Sequence, residues 1–407
     1  MSVGLPILLG VVIAATFLGN ALSERTRIPD LVYITGMGVL MWRVFGIRPL
    51  EAMPASMSAV GIAALAIILF RTGLELDLRR FSRQLGRALL LSLFSFSLAI
   101  FLVYTALFVG LDAGGPMAWA IAAALACTSA GLSLPALAKA RPSKTLSSLL
   151  SMESALTEAI AVILVLVMAG QPKGESMNAA FWLHKILPFL VGGGIAVVTG
   201  FLWLWLMRRL DQRRFFYLLT MGWVLLLMGL VEQAGGSGAF AVLVFGLMLA
   251  NSESILRGLP ARLRSGLHAI SEDGPTRLAI AESHEQIYFF VRGFFFLNLG
   301  ILLKWPGSDL RIWLGIVVVA AAVIVAREIA VQLAGWTTGI PGKDRAVLRF
   351  ASPRGLTTAV LVAILIPSLG SGPWVTVVVA VILISDLWMW LGSAKLSRDK
   401  PALGKGD

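Results

Sequence analysis

Runs of about twenty apolar residues follow one another along this chain and leave its backbone few options. In lipid no water is present to pair with N–H and C=O groups, so a spanning segment must be a helix or part of a closed barrel. A helix needs about 20 consecutive apolar residues and a barrel strand only about 10. Thirteen such runs lie at 3–22, 29–45, 57–75, 86–110, 116–139, 147–169, 180–207, 214–233, 237–251, 284–303, 312–335, 346–367 and 373–393. Their length predicts an all-α membrane protein of thirteen transmembrane helices, with 1–393 as a single transmembrane domain and 394–407 as a short cytoplasmic tail. With 58% hydrophobic and 14% charged residues, the composition excludes a soluble enzyme. No basic residue precedes the first run, so it reads as a retained helix and not a signal peptide.

A net charge of +12 is compatible with nucleic-acid binding, but its distribution argues for a bilayer and no nucleic-acid partner. When the connecting segments are numbered alternately, one set carries 24 Lys and Arg and the other 6. By the positive-inside rule the richer set is cytoplasmic, which places the N-terminus outside and the C-terminus inside. Four more, Arg71, Arg292, Arg327 and Arg354, fall within or at the edge of apolar runs. Cys127 is the one cysteine and the three histidines are scattered, so no resident metal centre or cofactor is expected. The longest polar stretch, 251–285, spaces its leucines as an amphipathic helix on the cytoplasmic surface would, or as a partner-binding loop.

A weak internal repeat relates spans seven apart. Thr128-Ser129-Ala130-Gly131-Leu132-Ser133 in span five resembles Ser352-Pro353-Arg354-Gly355-Leu356-Thr357 in span twelve. Leu69-Phe70-Arg71-Thr72-Gly73-Leu74 in span three resembles Phe296-Leu297-Asn298-Leu299-Gly300-Ile301 in span ten. A shift of seven reverses the direction of crossing. The expected organisation is therefore two inverted repeats of six spans, 1–170 and 214–393, joined by a linker helix at 180–207. Inverted repeats with broken helices are characteristic of secondary transporters.

Glu153 and Glu158 lie in one apolar segment, where an ionised side chain costs roughly 3 kcal/mol. At about 100° per residue, Ser154 and Glu158 share a helix face while Glu153 points elsewhere. One acid can thus face an ion pathway and the other pair with an arginine, for which Arg327 in span eleven is the preferred partner. The plainer reading is that both acids reach water at helix ends. In spans five and twelve, Gly131, Gly355, Pro135 and Pro353 permit local unwinding. Freed carbonyls beside Thr128, Ser129 and Ser133 would suit an alkali cation, although the same small residues also serve tight helix packing.

These residues carry a resemblance. Arg27-Ile28-Pro29, Gly73-Leu74-Glu75-Leu76-Asp77-Leu78, Glu153-Ser154 followed by Leu156, Gly236-Ser237-Gly238, Ala326-Arg327 and Arg354-Gly355 together resemble the NhaP-type branch of the monovalent cation:proton antiporters, bacterial relatives of the sodium/hydrogen exchangers. The resemblance implies thirteen spans in inverted repeats, a core domain that moves against a dimerisation domain, a homodimer in the cell membrane, and an acid at Glu158 that takes a proton and a cation in turn. Two departures stand out. The family's Asn-Asp pair is Thr157-Glu158 here, and its Thr-Asp-Pro is Thr128-Ser129-Ala130.

The expected function is electroneutral exchange of Na+ or K+ for H+. Glu158, with Thr128, Ser129, Ser154 and Thr157, forms the ion site. Glu153 and Arg327 form a structural pair, and Gly131, Gly355 and Arg354 mark the helix breaks, where Arg354 holds helix-end carbonyls or an acid such as Glu328. A transporter of another solute, such as a sodium-coupled organic anion drawn by Arg71, Arg292 and Arg354, is the alternative; a non-transporting membrane sensor is another. Asp386 has no assigned role at this level.

Overall fold

Helices underlie the apolar runs, because each run can close its backbone hydrogen bonds within itself. The computed structural model describes residues 4–26, 28–45, 54–76, 78–138, 142–169, 179–209, 216–258, 275–369 and 374–398. Among them are sixteen helices and no strand. In chain order these are α1 (Gly4–Thr26), α2 (Asp30–Phe45), α3 (Pro54–Glu75), α4 (Leu78–Leu111), α5 (Gly115–Ala126), α6 (Ala130–Leu137), α7 (Lys144–Ala169) and α8 (Ala179–Arg209). They continue with α9 (Phe216–Gln233), α10 (Gly238–Ala250), α11 (Ser252–Arg257), α12 (Pro275–Leu302), α13 (Leu310–Thr338), α14 (Gly342–Phe350), α15 (Leu356–Leu369) and α16 (Trp374–Arg398). By length and composition, seven helical segments suffice to cross a membrane, the α5–α6 stretch Gly115–Leu137 counted as one of them.

Some boundaries differ from the sequence reading. Helix α12 starts at Pro275, well before the apolar run at 284, and α16 continues to Arg398, past the expected start of the tail at 394. Polar residues at a helix end cost little when they lie in water, so hydropathy marks where the membrane starts and not where the helix does. The amphipathic segment expected over 251–285 is helical at Ser252–Arg257 and from Pro275 onward; 259–274 lies outside the described residues.

The chain packs into two compact units, one of Met1–Ser58, Leu85–Gly170 and Phe290–Asp407, the other of Ala59–Gln84 and Gln171–Phe289. In the first, α5 lies along α7, α13 along α16 and α1 along α2, while α15 meets α5, α7 and α16. In the second, α10 packs against α8 and α9.

Each unit contains a crossing at which two glycines face each other's backbone, too close for any side chain. In the first unit a β-carbon on Gly38 of α2 would strike the Leu297 carbonyl, and one on Gly300 of α12 would strike the Thr35 carbonyl. In the second, a β-carbon on Gly73 of α3 would strike the Leu243 carbonyl, and one on Gly246 of α10 would stand 2.6 Å from the Phe70 carbonyl. Each glycine meets the carbonyl three residues before the opposing glycine, so the two crossings share one register. With no side chain at the contact, the backbones themselves supply the packing.

A candidate ion site at two crossed helix breaks

Two helical segments are interrupted inside the first unit. Between α5 and α6, Cys127 (φ −71°, ψ 145°) and Ser129 (φ −124°, ψ 109°) are extended. Between α14 and α15, residues 351–355 are non-helical. The first break falls ahead of Gly131, which lies in the first turn of α6 with Pro135 further along that helix. Gly131 was expected at the break and is not there. An extended stretch needs no glycine, and the freed polar groups are instead held by side chains from α7. Gly355 does lie in the second break, for a packing reason: a β-carbon there would stand 2.5 Å from Ser129 Oγ.

The breaks meet. The Ser129 amide donates to the Pro353 carbonyl (3.1 Å), and Arg354 Nη1 donates to the Cys127 carbonyl (2.9 Å). Arg354 therefore holds a helix-end carbonyl. Glu328, the acid considered for it, pairs instead with Arg349 (3.1 Å). Arg354 is buried, and among the described residues no carboxylate forms a salt bridge with it.

Helix α7 supplies the first break with its partners. Ser154 Oγ donates to the Thr128 carbonyl and accepts from the Ala130 amide, both at 2.7 Å. Thr157 Oγ1 donates to the Ser154 carbonyl (3.0 Å), accepts from the Thr128 amide (3.3 Å) and lies 3.4 Å from Thr128 Oγ1. Thr128, Ser154 and Thr157 thus converge as buried hydroxyls at a broken helix end. Glu158 lies one turn beyond Ser154, half-buried, and its charge acts on Cys127 of the break. Ser129 Oγ lies against Gly355 of the second break. No group of three or more His, Cys, Asp or Glu able to hold a metal ion occurs among the described residues. The oxygens here are hydroxyls, carbonyls and one carboxylate, a hard donor set of the kind that suits weakly polarising cations.

Glu153 has a different environment. It forms a bidentate pair with Arg327, through Nη1 to Oε1 and through Nη2 to Oε2 (3.0 Å). Arg327 also donates from Nε to the Leu348 carbonyl (2.8 Å), from Nη1 to Ser95 Oγ (2.9 Å) and from Nη2 to the Ala351 carbonyl (3.2 Å). All five guanidinium donors are occupied. The pair ties α7, α4 and α13 to the end of α14, at the mouth of the second break. Ser95 carried no sequence signal, since nothing in its local pattern marks a partner 232 residues away, and the two carbonyls, 21 and 24 residues from Arg327, are backbone groups that every residue carries.

The second break has its own serine. Ser385 Oγ accepts from the Arg354 amide (3.1 Å) and donates to the Ile382 carbonyl (2.7 Å). Two other arginines of the apolar runs have acidic partners. Arg71 pairs with Glu75 (2.8 Å) and Glu285 (3.1 Å), and Arg292 pairs with Asp30 (2.6 Å).

Residues 11–389 match a family model described as sodium/hydrogen exchanger, transmembrane. The low-affinity Na+/H+ antiporter NhaS1 of Synechocystis sp. is 28% identical over 266 residues, which is 62% of this chain and 47% of that protein. The match thus spans about half the length of that relative. Two structures of the sodium proton antiporter MjNhaP1 from Methanocaldococcus jannaschii share the fold, with TM-scores of 0.77 and 0.73 at 18% identity, each over 98% of both chains.

Proposed function

The chain belongs to the sodium/hydrogen exchanger family and is a multi-pass protein of the cell membrane, and on that basis we propose that it exchanges Na+ or K+ for H+ by competition at Glu158. The observation that carries this reading is the convergence of Thr128, Ser154 and Thr157 at the first break, one turn from that acid. A carboxylate among few waters is penalised as a bare charge. It is relieved either by a proton or by a cation whose lost hydration is replaced by these hydroxyls and by break carbonyls. Only one guest fits at a time, so each cation moved one way is matched by one proton moved the other. Exchange on this reading is electroneutral.

Alternating access presents the occupied acid to one face and then the other, while the empty ionised form is kept from crossing by its desolvation cost. The proposed frame is thirteen spans in two inverted repeats, with the N-terminus outside, the C-terminus in the cytoplasm, and a homodimer as the assembly. Two pairings support the repeats. Under a shift of seven spans, the Gly73–Gly246 crossing corresponds to the Gly300–Gly38 crossing in the same register. The hydroxyl of Ser154 on the first break likewise corresponds to that of Ser385 on the second. In the cell such exchange would serve pH homeostasis.

The distribution of arginines favours this reading over transport of an organic anion. Arg71, Arg292 and Arg327 each face an acid, and Arg354 is held on a carbonyl. The test is a pH-gradient assay in proteoliposomes with Na+ and K+ in turn. Glu158→Gln is expected to abolish exchange with both; wild-type rates in that variant would remove Glu158 from the mechanism.

A further inference from the structure

Asp386 follows Ser385 on α16, and its environment differs from that of every other acid described above. It is 0% exposed, and neither carboxylate oxygen has a protein hydrogen bond of normal geometry. Glu153, equally buried, has both oxygens on Arg327. The charged groups that act on Asp386 are Arg354, whose Nη1 is committed to the Cys127 carbonyl, and Asp30, which is committed to Arg292. Among the other elements packed on α16, α5, α6 and α15 carry no charged residue. On α13 and α14, Arg327 is taken by Glu153 and Arg349 by Glu328.

The donor nearest to it, the Arg354 amide, is given to Ser385 Oγ, and a carboxylate with no well-formed hydrogen bond and no ion pair is among the costliest groups to bury. The same carboxyl becomes tolerable when neutral. Ionised, it would instead draw the buried Arg354 guanidinium toward itself, since Nε has no partner and Nη1 alone holds the group on Cys127. We propose that Asp386 is a second proton-binding site, separate from Glu158, whose proton stays with the protein and controls whether Arg354 keeps the two breaks joined. With the proton bound, Arg354 rests on the Cys127 carbonyl. When the proton leaves for solvent, Arg354 is pulled to α16 and the crossing loses one of its two hydrogen bonds. The functional consequence rests on the exchange reading above; the proton itself is a separate claim and is measured separately.

Difference infrared spectroscopy between neutral and alkaline pH reads that proton directly. A carbonyl stretch of a buried protonated carboxylic acid is expected in wild-type protein. It should shift on 13C-aspartate labelling, as a glutamate band would not, and persist in Glu158→Gln. Asp386→Asn should lose it and Asp386→Glu should move it. In proteoliposomes wild-type exchange should fall at alkaline pH, and Asp386→Asn should remove that fall while leaving the cation-to-proton ratio unchanged. The labelled wild type needs no substitution, so a variant that fails to fold leaves the test intact. A band insensitive to aspartate labelling, or an Asp386→Asn spectrum identical to wild type, overturns the proposal.

Discussion

Gly355 lies so near Ser129 that a β-carbon on the glycine would stand 2.5 Å from the serine hydroxyl oxygen. The two helix breaks therefore touch, and their separation is set by the absence of one side chain.

Gly355→Ala should force the breaks apart. Overpacking of this kind costs about 1–3 kcal/mol, and the displaced segment carries both hydrogen bonds of the crossing. A lower melting temperature in detergent together with impaired exchange is expected. Unchanged values for both would mean that the crossing yields easily and that its closeness has no mechanical role.

Glu153→Ala or Arg327→Ala should act on folding more than on ion handling. Removing one member of a fully buried pair strands the other's charge, at about 3–5 kcal/mol. Poor yield and early melting are expected for each single variant, and a double variant less unstable than the sum of the two. Either single variant expressing and melting like wild type would contradict a structural role.

Ser154→Ala removes both the acceptor for the Ala130 amide and the donor to the Thr128 carbonyl. Leaving such buried groups unpaired costs about 1–3 kcal/mol. The cation concentration for half-maximal exchange should rise, and Ser154→Thr, which retains the hydroxyl, should recover much of the loss. Equal cation dependence in Ser154→Ala and wild type would take this hydroxyl out of the ion site.

Thr157→Asp places a second acid where the chain now has a hydroxyl bonded to the Ser154 carbonyl. If the charge balance of the cycle depends on the number of acids at the break, exchange should become electrogenic. A current under voltage clamp of the reconstituted variant checks this, with wild type silent. A current of equal size in wild type would refute electroneutral exchange.

How far the site could be read in advance follows from the range of each interaction. Glu153, Ser154, Thr157 and Glu158 stood out because charge and hydroxyls in an apolar run are costly where they lie, whatever surrounds them. Gly355 stood out through its repeat context. The first break was legible only in part: freed carbonyls were expected beside Thr128 and Ser129, where the chain is extended, but Gly131, expected to mark the break, lies in the helix after it, since Ser154 and Thr157 on another helix hold the break's polar groups. Arg354 was recognisable as a break residue, but its choice of the Cys127 carbonyl over Glu328 was not.

The sequence alone determined the helical membrane class and the helices beneath the apolar runs, because burial of apolar side chains and satisfaction of backbone groups in lipid are local and nearly additive. It also determined which side chains were out of place there. Only the tertiary structure decided which of those side chains meet: Arg327 with Glu153, Ser385 with the Arg354 amide, Ser129 with Gly355, and Asp386 with no hydrogen-bonding protein group of normal geometry. A buried polar group takes its partner from whatever the packing brings within about 3 Å, and packing brings together residues far apart in the chain.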